Sequence, residues 1–200
     1  MDKTEKLKQI KEEVVNLKRS PLYSQRIKNG VFPVIGEGSH DAKVMFIGEA
    51  PGAREAATGR PFCGSAGKVL DWCLEKSGIE REEVYITNIL KDRPPKNRDP
   101  LPEEIEVYSP FLDRQIRIIS PEIIVCLGRF SSEYILSKFG LEKELAPIST
   151  LRGRVFTAKT DYGNIKIIPM LHPAVGVYNP SKKDSLVGDF AVVKNNLSLA

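Results

Sequence analysis

The sequence predicts an α/β protein, a three-layer α/β/α sandwich around a central four-stranded parallel sheet. Four short runs rich in apolar and β-branched residues recur along the chain, each bounded by turn residues. Segments with helical spacing separate them, so the connections read as βαβ crossovers. The runs also lack the strict alternation of a sheet with one wet face, which suits strands buried on both faces.

Taken in order, residues 4–19 place Leu7, Ile10, Val14 and Leu17 at helical spacing among Lys and Glu, an amphipathic N-terminal helix. The four strands are KVMFIG (43–48), VYITNIL (84–90), EIIVCLG (122–128) and IKIIPML (165–171). A helix runs from Ser65, its expected cap, to about Lys76. Another follows Pro102, with Glu103 and Glu104 in its first turn and Ile105, Leu112, Ile116 and Ile119 behind them. A third starts near Arg129, and the last runs from about Ser185 through Leu186, Phe190, Val193 and Leu197. No repeat or low-complexity tract interrupts the pattern, so residues 1–200 read as a single domain.

Composition narrows the function classes. Of 200 residues, 41% are hydrophobic and 8% aromatic, enough for a packed core. The formal charge of +4 permits a polyanionic partner without requiring one. No apolar run reaches the roughly 20 residues that span a bilayer. The charged N-terminus lacks the apolar centre of a signal peptide. These features predict an intracellular protein, cytoplasmic or nucleoid-associated, that does not bind membranes. Cys63, Cys73 and Cys126 are odd in number and lack CxxC spacing, so neither disulfides nor a zinc site is expected.

In open α/β sheets ligands bind beyond the carboxyl ends of the strands, and the chemically suggestive residues lie there. GEAPGAREAATGRPFCGSAG (48–67) follows the first strand, Asn88 ends the second, and His172 comes just after the fourth. Gly48, Pro51 and their neighbours make a turn whose N–H groups can face a ligand, but neither GxGxxG nor GxxxxGK[ST] is present. Read alone, the loop serves equally a functional or a structural turn. Asn88 alone could be a strand-end cap, Phe62 a core residue, and the cysteines small hydrophobes. His40, in a polar turn, reads as a surface residue.

Together, GEAPG…GRPFCGSAG, TNILKDRPPKNRDPLPEEI (87–105), IIVCLGR (123–129) and LHPAVGVYNP (171–180) resemble the family-four uracil-DNA glycosylases, from Ser20 to the C-terminus. The resemblance implies base-excision repair of uracil-containing DNA, single- or double-stranded, by a monomer. A sliding clamp is a candidate protein partner. It implies that Phe62 stacks on a flipped uracil, that Asn88 reads its Watson–Crick edge, and that Gly48, Glu49, Ala50 and Pro51 line the pocket. It implies further that Glu55 and Glu49 are the catalytic carboxylates, with Glu55 orienting the attacking water, and that His172 donates to uracil O2.

These roles suit the chemistry. Glycosidic cleavage leaves positive charge on the sugar and negative charge on the base, so a carboxylate serves one and a donor the other. The target must be flipped out of a duplex to be reached. On DNA, Gly64, Ser65, Arg93, Lys96, Arg98, Lys182 and Lys183 are expected to meet the backbone. Val177 or Tyr178 should fill the space the base vacates. A weakly active relative that only binds uracil-DNA, and a glycosylase of broader deaminated-base range, are the alternatives.

The sequence departs from the family where four cysteines hold an iron–sulfur cluster. Those positions are Ser20, Tyr23, Asp92 and Tyr108 here, so no cluster, metal or other cofactor is expected. Ala56 also stands where the family usually has an acid, and Gly176 and Tyr178 stand where Leu and Arg are common.

Overall fold

A computed structural model describes residues 1–197; residues 198–200, the end of the expected domain, lie outside them. Six strands form one sheet: β1 (Glu37–Gly38), β2 (Val44–Gly48), β3 (Tyr85–Asn88), β4 (Ile123–Leu127), β5 (Phe156–Thr160) and β6 (Gly163–Met170). Their order is β1-β3-β2-β4-β6-β5. The expected parallel core is present as β3-β2-β4-β6. The expectation of a four-stranded sheet is corrected by an antiparallel strand at each edge, β1 on β3 and β5 on β6. β1 is two residues long, too short to carry a period. β5 buries Phe156 and Ala158 and turns Thr157 and Lys159 to solvent, an alternation unlike the doubly buried strands.

Nine α-helices lie among the described residues: α1 (Lys3–Val15), α2 (Tyr23–Lys28), α3 (Ala53–Thr58), α4 (Ser65–Lys76), α5 (Pro102–Ile119), α6 (Arg129–Lys138), α7 (Ile148–Leu151), α8 (Ala174–Tyr178) and α9 (Lys183–Asn196). The helix expected over 4–19 ends at Val15, where Asn16 caps it, although Leu17 beyond the cap is still buried. Gly64, not Ser65, precedes α4, and no side chain caps that helix.

The strands sort their side chains between two cores by the period of two. Met45, Ile47, Ile124, Cys126, Ile165 and Ile167 face α1, α5 and α6. Val44, Phe46, Val125, Leu127, Ile168 and Met170 face α4 and α9, where Phe46 stacks on Phe190 with centroids 5.6 Å apart. This is the predicted three-layer arrangement, and all four parallel strands end on the same side.

The segment before β1 is tied to the body by buried polar contacts. The Tyr108 hydroxyl of α5 donates to Asp92 Oδ2 at 2.5 Å and meets Ser20 Oγ at 2.6 Å. Arg26, on α2, reaches Asp92 Oδ1 at 3.3 Å and also donates to the carbonyls of Val14 and Val15. Both members of the Arg26–Asp92 pair are almost fully buried, at 3% and 2% side-chain exposure. The Tyr23 ring lies against the Arg26 guanidinium, 5.0 Å from its centroid. Removing one member of a buried pair strands the other charge. Asp92→Ala should therefore lower the unfolding free energy by about 3–5 kcal/mol in a denaturant titration.

Candidate active site

β2 and β3 set the site. Their parallel register places Gly48 beside Asn88, and the chain stays paired past the strand ends through Ile89 N–H to Gly48 O and Leu90 N–H to Glu49 O, both 3.0 Å. A Cβ on Gly48 would strike the Asn88 carboxamide and come within 2.6 Å of the Phe62 ring. Glycine there is what lets the Phe62 ring and the Asn88 carboxamide close together over the strand end. Phe62 itself has φ +47°, in the left-handed region. Its carbonyl fills the space a Cβ of Gly67 would need, so the loop and α4 fix the ring together. The His172 ring packs near Phe62, their centroids 5.6 Å apart and their planes tilted by 32°.

These residues wall a cleft of about 610 Å³ that also takes in Glu49, Ala50, Pro51, Glu55, Gly64, Ser65 and Tyr178. It thus gathers Glu49, Ala50, Pro51, Glu55, Phe62, Asn88 and His172 from four separate stretches of chain, with Gly48 forming the close approach between Phe62 and Asn88. Asn88 is 2% exposed, and its Oδ1 has no hydrogen-bond partner among the described residues. An unmet buried acceptor costs about 1–3 kcal/mol unless a ligand supplies the donor.

His172 has its tautomer set by the backbone. Its Nδ1 accepts from Ala174 N–H at 3.2 Å, which leaves the ring proton on Nε2. Burial lowers its pKa to about 4, against a smaller upward pull from Glu55, so the ring is neutral at pH 7.

The two carboxylates differ. Glu55 is buried on α3, and its Oε1 accepts from the N–H groups of Cys63 (3.1 Å) and Gly64 (2.8 Å), which locks the Phe62 loop. Its Oε2 faces Gly52, where a Cβ would lie 2.7 Å away. Glu49 is half-buried; desolvation, and after it the charge of Asp99, raise its pKa to about 7 against the pull of Arg129. Asp99 in turn pairs with Arg129 at 3.1 Å.

The basic residues expected on DNA divide. Lys96 and Lys182 are exposed. Arg98 grips the fully buried Glu104 with both guanidinium nitrogens, at 2.8 and 2.5 Å, and Arg93 bonds Asn97 Oδ1 at 2.7 Å. Lys183 lies over the Trp72 ring at 5.2 Å. Tyr178 is 87% exposed at the end of α8, and Val177 beside it 38%.

Sequence reasoning missed Arg54, Pro94, Asn97 and Asp99 in the cleft wall. Asn97 and Asp99 stand inside the quoted RPPKNRDP stretch, so their place in a shared motif was the available signal. Arg54 looks like any exposed helix charge.

The Uracil DNA glycosylase superfamily profile matches residues 35–191, most of the chain. The chain belongs to the uracil DNA glycosylase superfamily. Among superfamily members it is 45% identical to a type-4 uracil-DNA glycosylase of Sulfurisphaera tokodaii, over 94% of this chain and 83% of that one. It is 41% identical to one of Archaeoglobus fulgidus, over 93% and 90%, and 39% identical to one of Thermotoga maritima, over 87% and 84%. As a superfamily member the chain presents its cleft at the carboxyl ends of β2, β3 and β6, formed entirely by residues of one chain.

Proposed function

We propose that this superfamily member is a monofunctional uracil-DNA glycosylase of base-excision repair, acting as a monomer on uracil-containing DNA. The unpartnered Oδ1 of Asn88, in a cleft shared with Phe62 and His172, carries the reading. Uracil offers an N–H at N3 to meet that oxygen, whereas cytosine presents a lone pair there and is repelled. Phe62 gives the extruded base a stacking face, and the absent side chain of Gly48 lets that ring approach the Asn88 carboxamide.

The neutral His172 directs Nε2–H at uracil O2. As the C1′–N1 bond breaks, its electron pair passes to N1 and negative charge spreads to O2, where a positioned donor stabilises it. Water attacks C1′ and loses a proton. Glu55, pinned by two backbone amides, keeps Oε2 to orient that water, and Glu49, poised near neutrality, accepts the proton. Gly64 and Ser65, which line the cleft, and the exposed Lys96 and Lys182 serve the DNA backbone, and Tyr178 is the larger candidate wedge.

A cluster-free enzyme is part of the proposal. The positions at which the family ligates iron with thiolates offer a hydroxyl, two phenols and a carboxylate, and three of the four are already bonded to one another. This donor set does not fit an iron–sulfur cluster. Purified protein should contain no stoichiometric iron by elemental analysis.

The activity is tested by incubating a uracil-containing oligonucleotide with the protein, treating with alkali and looking for strand breaks; intact strands would leave only the DNA-binding alternative. Asn88→Ala and His172→Ala should each slow excision by about a hundredfold or more in single-turnover assays, with folding intact by circular dichroism. Because Glu49 accepts a proton only when ionised, the wild-type rate should climb as pH rises through about 7, and Glu49→Gln should be slow and lack that climb. Tyr178→Ala should impair excision from duplex far more than from single strands, since only the duplex resists flipping.

A further inference from the structure

Lys91 follows β3 by three residues and has no solvent exposure at all. Its Nζ lies 2.7 Å from Thr87 Oγ1, 2.7 Å from the backbone oxygen of Asn88 and 2.5 Å from Gln115 Oε1, with Ile35 O further off at 3.4 Å. The other bonds of these neighbours fix their roles. Thr87 Oγ1 is 2.6 Å from Ile35 O, a carbonyl that only accepts, so the hydroxyl donates there and must accept from Lys91. Gln115 directs Nε2 at Ile35 O (2.9 Å) and at the Tyr85 hydroxyl (3.1 Å), which leaves Oε1 as an acceptor. The Asn88 carbonyl accepts as well.

Three acceptors at short range require three N–H bonds, and only the ammonium form has them. A neutral amine would turn its lone pair against an oxygen. Burial alone drives the amine well below the ordinary lysine range, and this ring of oxygens opposes that drive. Among the described residues no carboxylate bonds to Nζ, so the charge is met only by dipoles. It is bonded to the backbone of a residue whose side chain lines the cleft.

We propose that Lys91 is a protonated, fully buried ammonium that positions Asn88 and supplies positive charge behind the pocket as the departing base becomes an anion. The inference rests on the reading of Asn88 given above. Holding the Asn88 carbonyl fixes the backbone from which the carboxamide projects. A charge that has no counter-ion in the ground state is free to interact with one that develops in the transition state.

Two measurements test it. Lys91→Met, checked for folding by thermal unfolding, should slow single-turnover excision of uracil about thirtyfold while raising KM less than about threefold. With 5-fluorouracil in the oligonucleotide, whose fluorine already stabilises the leaving anion, the same variant should lose no more than about threefold. A merely structural role would cost both bases equally, and an equal loss, or no loss, overturns the proposal. The second measurement uses the wild-type protein with ¹⁵N-labelled lysine: at pH 7 the Lys91 Nζ resonance should couple to three protons. Two attached protons would overturn the proposal even if the Met variant did not fold. If instead Asn88→Ala keeps full activity while Lys91 shows three protons, the reading of Asn88 fails and the protonation state of Lys91 stands.

Discussion

The ladder between β2 and β3 holds Gly48 and Asn88 side by side, and the rest of the cleft is arranged around that pair. The period of a strand is two, so a one-residue slip would turn Asn88 into a helix-covered face and bring a side-chain-bearing residue to the close approach. The ladder cannot slip, because Phe46 and Ile86 on one face and Met45 and Tyr85 on the other are committed to different cores. Hydrophobic burial far from the ligand therefore sets the position of one polar group to within a hydrogen-bond length. Phe62, Glu55 and the N–H groups of Cys63 and Gly64 form a second unit, closed by its own bonds and brought against the first by α4 packing on the sheet.

Two consecutive residues fasten the other wall. Lys91 bonds Gln115 and Asp92 bonds Tyr108, and both partners lie on α5, two turns apart on one face. The stretch leading into RPPKNRDP thus leaves β3 already anchored to a long helix before it turns toward the cleft. Arg98 then closes it onto the start of that helix through the buried Glu104. The loop carries left-handed backbone at Lys96 and Asn97, which persists because both ends are held.

Much of this was legible in the sequence. The four parallel strands are continuous apolar runs, and α4, α5 and α9 show their buried stripes at helical spacing, so architecture followed from pattern. The convergence of strand ends in such a sheet pointed to the Gly-rich loop, Asn88 and His172, while Glu49 and Phe62 were singled out only through the family resemblance. What stayed hidden has physical reasons. β1 is too short to have a period, and β5 alternates as an edge strand does. Lys91 reads as a solvated charge, because nothing local tells a lysine that its neighbours in space will be three oxygens from β3 and α5. The division between Glu49 and Glu55 was equally invisible: it depends on which carboxylate meets the backbone N–H groups of a loop eight residues away.

The joint between Ser20, Arg26, Asp92 and Tyr108 has a consequence for how the protein comes into being. Its partners lie far apart in sequence, so forming it closes long loops whose entropy its bonds help to offset. Closing it requires only that the chain reach its own shape. All of its bonds are between groups of this chain, and every one can open and re-form without chemical damage. On the cluster-free reading proposed above, the N-terminal segment seats equally well in air or under anoxia, and in a cell starved of iron as in one that is replete.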